Sequence, residues 1–151
     1  MVEVLLEQKI KENLAAIISA AGIDDIQIIG SYDVSEIKAV EESGKTSYII
    51  VKVNPRSYAS PTIPTCTVEC AVSLTVRSDI DYSGKSYVDL MDAFLSKYQS
   101  WQQCLDEAHD DFSVDGWAIT GFVLGEGSTA IDRNATVFTY THSFTLYGII
   151  N

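Results

Sequence analysis

The stretch Thr65-Cys66-Thr67-Val68-Glu69-Cys70-Ala71-Val72-Ser73-Leu74-Thr75-Val76-Arg77 decides the fold. In an extended chain successive side chains point to opposite faces. Cys66, Val68, Cys70, Val72, Leu74 and Val76 then share one face, and Thr65, Thr67, Glu69, Ser73, Thr75 and Arg77 take the other. Strict period-two alternation over this length predicts one strand, about 40 Å long when fully extended. That is more than a small domain usually spends on a strand. One face belongs to the core, and the other meets water or a partner.

Working outward, Tyr48 to Val53 is nearly continuous in apolar and β-branched residues, which predicts a strand over about 47–53 buried on both faces. Residues Asn54 to Pro64 hold all three prolines of the chain, Pro55, Pro61 and Pro64, and read as a long loop without regular structure. Such a loop is uncommon in a compact domain unless it has a task. After the long strand, Ser78 to Lys85 is a polar turn with Asp79, Asp81 and Gly84. Ser86 suits an N-cap and Asp89 the N3 position, so a helix is predicted over 86–105, with Tyr87, Leu90, Met91, Phe94, Tyr98 and Trp101 as its apolar stripe.

At the start of the chain Leu6, Ile10, Leu14, Ile17 and Ala21 recur at helical spacing, which predicts a helix over 2–21 ending at Gly22. Glu7 and Lys11 are expected to pair at i,i+4 on its opposite, wet side. A short strand is expected at 26–29, then a polar, acidic connection over 30–46 with Glu36, Glu41 and Glu42. Two closing strands, 117–124 and 135–149, flank a polar loop, Gly125 to Asn134. The order of elements predicts one α+β domain over 1–151, a mostly antiparallel sheet with two helices packed on one face.

The chain has 151 residues, with 21 Asp and Glu against 10 Lys and Arg, a formal net charge of −11. A chain of this size buries roughly 70% of the surface its unfolded form exposes, enough for one core. The charge argues against nucleic-acid binding, which needs Lys and Arg on phosphates, and against docking on anionic lipid. The excess sits in connections, Asp24–Asp25, Glu36–Glu42, Asp79–Asp81 and Asp106–Asp115, and hardly at all in strands. The longest apolar run, Leu14 to Ala21, is broken by Ser19 and is far short of a membrane span. Glu3 and Glu7 stand where a signal peptide would be basic, so no secretion signal is expected. Three cysteines, Cys66, Cys70 and Cys104, make no disulfide framework and fit a reducing compartment.

The search for chemistry is mostly negative. Gly84-Lys85-Ser86 lies between a strand and a helix, but a phosphate loop needs Gly at position 79, which is Asp79, and Asp81 adds a second charge where amides should cradle phosphate. A turn followed by a helix cap is the better reading, and Gly44-Lys45-Thr46 reads as a plain turn. Cys66 and Cys70 lie about 13 Å apart by strand rise, too far for one metal. His109, with Asp106, Asp110 and Asp111, reads as a solvated acidic loop, and His142 as a core or interface histidine. No nucleophile elbow occurs. No catalytic residue, cofactor or metal site is expected. The alternative, a small-molecule-binding or enzymatic α+β domain, would centre on His109, His142 and nearby acids.

The element order, with Tyr48–Val53, the proline loop, the alternating strand Thr65–Arg77, the polar turn, the helix from Ser86 to Trp101, the acidic segment and the closing hairpin, resembles the tail terminator proteins of long-tailed bacteriophages, a minor tail protein family. The head–tail completion (neck) proteins of phages share similar small folds. The resemblance implies a structural protein without catalysis, made in the bacterial cytoplasm and built into the virion tail. It implies a homo-oligomeric ring, usually a hexamer, that caps the tail tube and joins it to a head-completion protein. No family signature transfers residue by residue. The expected subunit or tube interface is the polar strand face, the proline loop and the acidic turn: Arg56, Tyr58, Thr67, Glu69, Ser73, Thr75, Arg77, Asp79 and Asp81. An adaptor domain that pairs through an exposed sheet edge is a third reading.

Overall fold

The structure, a computed structural model, describes residues 1–22, 26–43, 48–58, 62, 65–77, 87–103, 110–131 and 137–150, with the backbone alone at 40, 41, 43, 76, 77, 87–91, 129–131, 137 and 138. Helix α1 (Val2–Ala20) is followed by β1 (Gln27–Gly30), α2 (Val34–Ser43), β2 (Tyr48–Val53), β3 (Ser57–Tyr58), β4 (Thr65–Arg77), α3 (Tyr87–Gln103), β5 (Trp117–Ile131) and β6 (Val137–Ile150). The fold is α+β. Among the described residues six strands form one sheet in the order β1-β2-β4-β6-β5, with β3 beside β4. β1 runs parallel to β2, and every other pairing is antiparallel.

β4 is the spine. It pairs with β6 without a break from Thr65 opposite Ile149 to Arg77 opposite Val137. On its other side β2 covers Cys70 to Thr75, and β3 resumes the pairing at Thr67 and Cys66. A short interruption after Val53 thus replaces part of the structureless loop expected over 54–64. The Asn54 N–H still donates to the Glu69 carbonyl at 2.9 Å as the chain leaves β2.

The alternation in β4 does what its pattern demands. Cys66, Val68, Cys70, Val72 and Leu74 are all buried, in register with buried Leu146, Phe144, His142 and Tyr140 of β6. α1 and α3 supply the rest of that core: Leu6, Ile10, Leu14 and Ile18 from α1, Phe94, Tyr98 and Trp101 from α3. At the α3 end the core is aromatic. Trp101 meets the Phe112 ring edge-on at 4.8 Å between centroids, and Phe144 sits 5.3 Å from both Tyr98 and Phe122. Such offset and tilted pairs add to the burial of large side chains. Burial alone contributes about 1.5–3 kcal/mol for each side chain of this kind.

Four local expectations give way. β2, read as buried on both faces, buries Ile49, Val51 and Val53 on one face and leaves Tyr48 and Ile50 partly and Lys52 fully exposed on the other. The segment 30–46, read as a polar connection, contains α2. Its start is written in Asp33-Val34-Ser35-Glu36: the Asp33 carboxylate accepts from the Ser35 hydroxyl at 3.3 Å and from the Glu36 N–H at 3.5 Å. This is an N-cap with an acid at N3, the pattern of a capping box. α2 is the crossover that a parallel β1–β2 pair requires.

The loop expected over 125–134 is strand as far as Ile131. Gly125 and Gly127 sit at a register shift between Leu124 and Gly127. A Cβ on Gly127 would lie 2.5 Å from the Tyr140 hydroxyl, and one on Gly125 2.8 Å from the Ser143 carbonyl. Here glycine marks a bulge and a close approach inside a strand instead of a loop.

Glu7, expected on the wet side of α1 paired with Lys11, is buried together with Glu3. Both lie on the helical stripe of Leu6, Ile10 and Leu14, facing the sheet. Gly22, with φ +71°, follows the helix in the left-handed conformation expected of it.

Candidate interaction surface

The face of the sheet opposite α1 and α3 is built from the odd-numbered residues of β4 and β6. Their register sets rows: Ile149 with Thr65, Tyr147 with Thr67, Thr145 with Glu69, Ser143 with Ala71, Thr141 with Ser73, and Thr139 with Thr75. None of these twelve side chains is buried. The hydroxyls pair across the strands, Ser73 with Thr141 at 2.9 Å and Thr75 with Thr139 at 3.4 Å. Cross-strand Ser/Thr pairs suit a wet face, since each satisfies the other without a greasy surface.

The surface changes character along its length. The end near Ser73 is a hydroxyl ladder. In the middle Lys52, Asn54, Glu69, Ala71, Ser143 and Thr145 line a shallow depression of about 300 Å³. At the other end Tyr147 and Ile149 are each 38% exposed, and Val123 of the neighbouring β5 is 50% exposed. Three apolar side chains beside polar ones are the composition of an interface core with its rim.

Of the residues expected at an interface, Thr67, Glu69, Ser73 and Thr75 lie together on this face. Arg56 and Tyr58 do not join them. Tyr58 is in register with Cys66, which places it on the α1 side of the sheet, 50% exposed. The Arg56 guanidinium is taken up internally: its Nε donates to Glu3 Oε1 at 2.7 Å and its terminal NH2 to Glu3 Oε2 at 2.8 Å, while the Arg56 N–H adds a third bond at 3.1 Å. Arg77 is placed by its backbone opposite Val137, and Asp79 and Asp81 lie outside the described residues. So do both Gly-Lys-Ser/Thr triplets, Cys104, His109 and the Asn134 sequon.

Sequence reasoning missed the clasp that Glu3 and Glu7 form between α1 and the sheet. The bidentate bond from Arg56 holds the Glu3 carboxyl at about 2, and burial opposes that shift only in part. Glu7 moves the other way: burial raises it, against bonds from the Ser31 hydroxyl at 3.0 Å and the Tyr32 N–H at 3.3 Å. Gly30 makes room for it, because a Cβ there would overlap the Glu7 carboxylate. Tyr32 completes the corner by donating to the Val53 carbonyl at 3.0 Å. The available signal was positional: residues 3 and 7 fall on the same helical stripe as 6, 10 and 14. The clasp pins α1 to the turn after β1 and to the segment after β2, which makes it a structural device.

His142 is buried on the α3 side of β6, with its Nδ1 2.7 Å from the Tyr140 hydroxyl. Burial lowers its pKa, so the imidazole is neutral near pH 7. Cys66 and Cys70 are buried free thiols whose pKa values burial raises, the state of an inert thiol. Among the described residues no group of three or more His, Cys, Asp or Glu is placed to hold a metal ion, and no helix is long and apolar enough to cross a membrane.

No protein-family model and no curated protein matches the chain. Among solved structures it is similar to a chain in the virion of a native gene transfer agent particle, with a TM-score of 0.47, 11% identity, and coverage of 90% of this chain and 84% of that one. It is also similar to a core-domain crystal structure from Akkermansia muciniphila, with a TM-score of 0.38, 11% identity, and coverage of 99% of this chain and 86% of that one.

Proposed function

We propose that the chain is a structural protein of a phage-like virion that acts by assembly, in the manner of a tail terminator: copies close into a ring on the tail tube and meet a head-completion protein. A head–tail completion protein is the neighbouring role within the same reading. The resemblance of the element order supports it. The observation that carries it is the open sheet face, where a row of hydroxyls runs into the exposed side chains of Val123, Tyr147 and Ile149. That surface is polar enough for a soluble free subunit and apolar enough at one end to be covered in an assembly. Net charge −11 keeps free copies apart until contacts align.

In this reading the protein is not an enzyme and takes no cofactor, nucleic-acid or membrane partner. The depression beside Glu69 is at the small end for a ligand pocket, and strand residues make up most of its lining. Light scattering with negative-stain imaging, with and without tail tube, tests the proposal. Rings are expected, at high concentration or on the tube. A strict monomer that leaves tube length uncontrolled overturns it.

A further inference from the structure

We infer that the outer edge of β5 receives β1 of a second copy of this chain, so that the sheet runs on from one subunit into the next. The inference rests on the assembly reading above and names the contact that would build it. β1 and β5 are the two ends of the sheet, and among the described residues neither has a strand beyond it. At the β5 edge the Leu124 N–H turns away from β6 and donates to Gln102 Oε1 of α3 at 2.7 Å, in an exposed position. A side-chain amide there occupies a donor that a further strand would use. Phe122, two residues earlier, presents its main-chain groups in the same direction, because hydrogen-bonding direction alternates along an antiparallel strand.

The strand's own residues do little else to guard the edge. From Trp117 to Ile131 it carries one charge, Glu126, and no Lys or Pro. Those are the residues with which free edges usually turn visitors away. Register shifts at 119/121 and 124/127 leave Gly121 to Leu124 as a regular stretch of the same length as β1, Gln27 to Gly30. An exposed apolar side chain also lies at each edge: Val123 on β5, and Val34 just past β1. Joining two unlike edges is a head-to-tail contact, which generates a ring when the rotation closes, whereas β5 on β5 would stop at a dimer.

The test uses the full chain. Sedimentation velocity across concentration is compared for the parent, Val123→Lys and Gln102→Ala. Amide exchange at Phe122 and Leu124 is followed with and without association. Val123 is exposed, so V123K is expected to keep the thermal midpoint and weaken association at least tenfold. Q102A frees the edge donor and is expected to strengthen association severalfold. Both amides gain protection in the assembly. In a Cys104→Ser background, copies carrying Val123→Cys are expected to be linked by a short bis-maleimide to copies carrying Gln27→Cys, and neither to itself. Rings that tolerate V123K with the Leu124 amide unprotected overturn the edge contact while leaving the ring reading intact. V123C copies linking to one another overturn β1 as the partner. A chain monomeric under every condition overturns the contact and the ring together.

Discussion

The two faces of the sheet are made from the same strands, one residue apart, and share almost no physics. On the side of α1 and α3, Phe144, Leu146, Val72 and Leu74 are buried and packed by aromatic rings. On the other side Ser73, Thr75, Thr139 and Thr141 are partly exposed and answer one another across the strands by hydroxyl bonds. The first face holds the molecule together through area removed from water, and the second costs little to leave open. Burial and exposure are thereby separated onto alternate residues, and mutations should sort by parity.

The largest effect should come from Phe144→Ala, which removes a ring in contact with Tyr98, Phe112 and Phe122. A loss of about 3–5 kcal/mol in denaturant unfolding is expected. Its neighbour Thr145→Ala should stay within about 0.5 kcal/mol. Equal losses would break the comparison.

Arg56→Ala should come next. It strips a buried carboxylate of its partner, and about 3 kcal/mol is expected, again by denaturant unfolding. The pH dependence checks the cause. Glu3 is depressed from 4.5 to about 2 in the fold, so its contribution is fully present above about 4.5 and lost as pH falls toward 2. That acid-side loss should be much reduced in Arg56→Ala.

Glu7 carries the opposite sign. Its folded pKa is raised above 4.5, so the fold loses stability as pH rises through the window above 4.5. Glu7→Gln keeps an oxygen for Ser31 and Tyr32 and should be close to neutral at pH 4. At pH 7 it should be more stable than the parent, read from thermal midpoints at the two pH values. A gain at pH 4 and none at pH 7 would reverse the assignment.

The smallest effect belongs to the open face. Ser73→Ala removes one partner of the 2.9 Å hydroxyl pair with Thr141, where water can replace it. A change of about 0.5 kcal/mol or less is expected in unfolding.

Much of this was legible beforehand, and what was missed has identifiable causes. Periodicity is a local signal, so the alternation of Thr65–Arg77, the stripe of α1 and the closing strands could be read one segment at a time. α2 is hard to read from the sequence because its polar residues outweigh its cap, although Asp33 and Glu36 stand at capping spacing. The full length of β5 is not legible in the sequence because glycine is ambiguous: Gly125 and Gly127 mean a loop in isolation and a bulge once Ser143 and Tyr140 lie opposite. Of the candidate surface, the shared face of Thr67, Glu69, Ser73 and Thr75 follows from strand parity, whereas the bond of Arg56 to Glu3 does not.

Which face of β4 and β6 would be dry, and that the sheet would be mostly antiparallel, could be read from the sequence, because both follow from neighbours along the chain. Only the tertiary structure decided that β1 runs parallel to β2, that β5 ends the sheet with Gln102 on its edge, and that two acids of α1 are buried in a clasp. Those outcomes depend on which distant groups meet. A carboxylate is solvated or buried according to whether an Arg56 or a Ser31 arrives to bond it, and that is settled by packing in three dimensions, where pattern along the chain is silent.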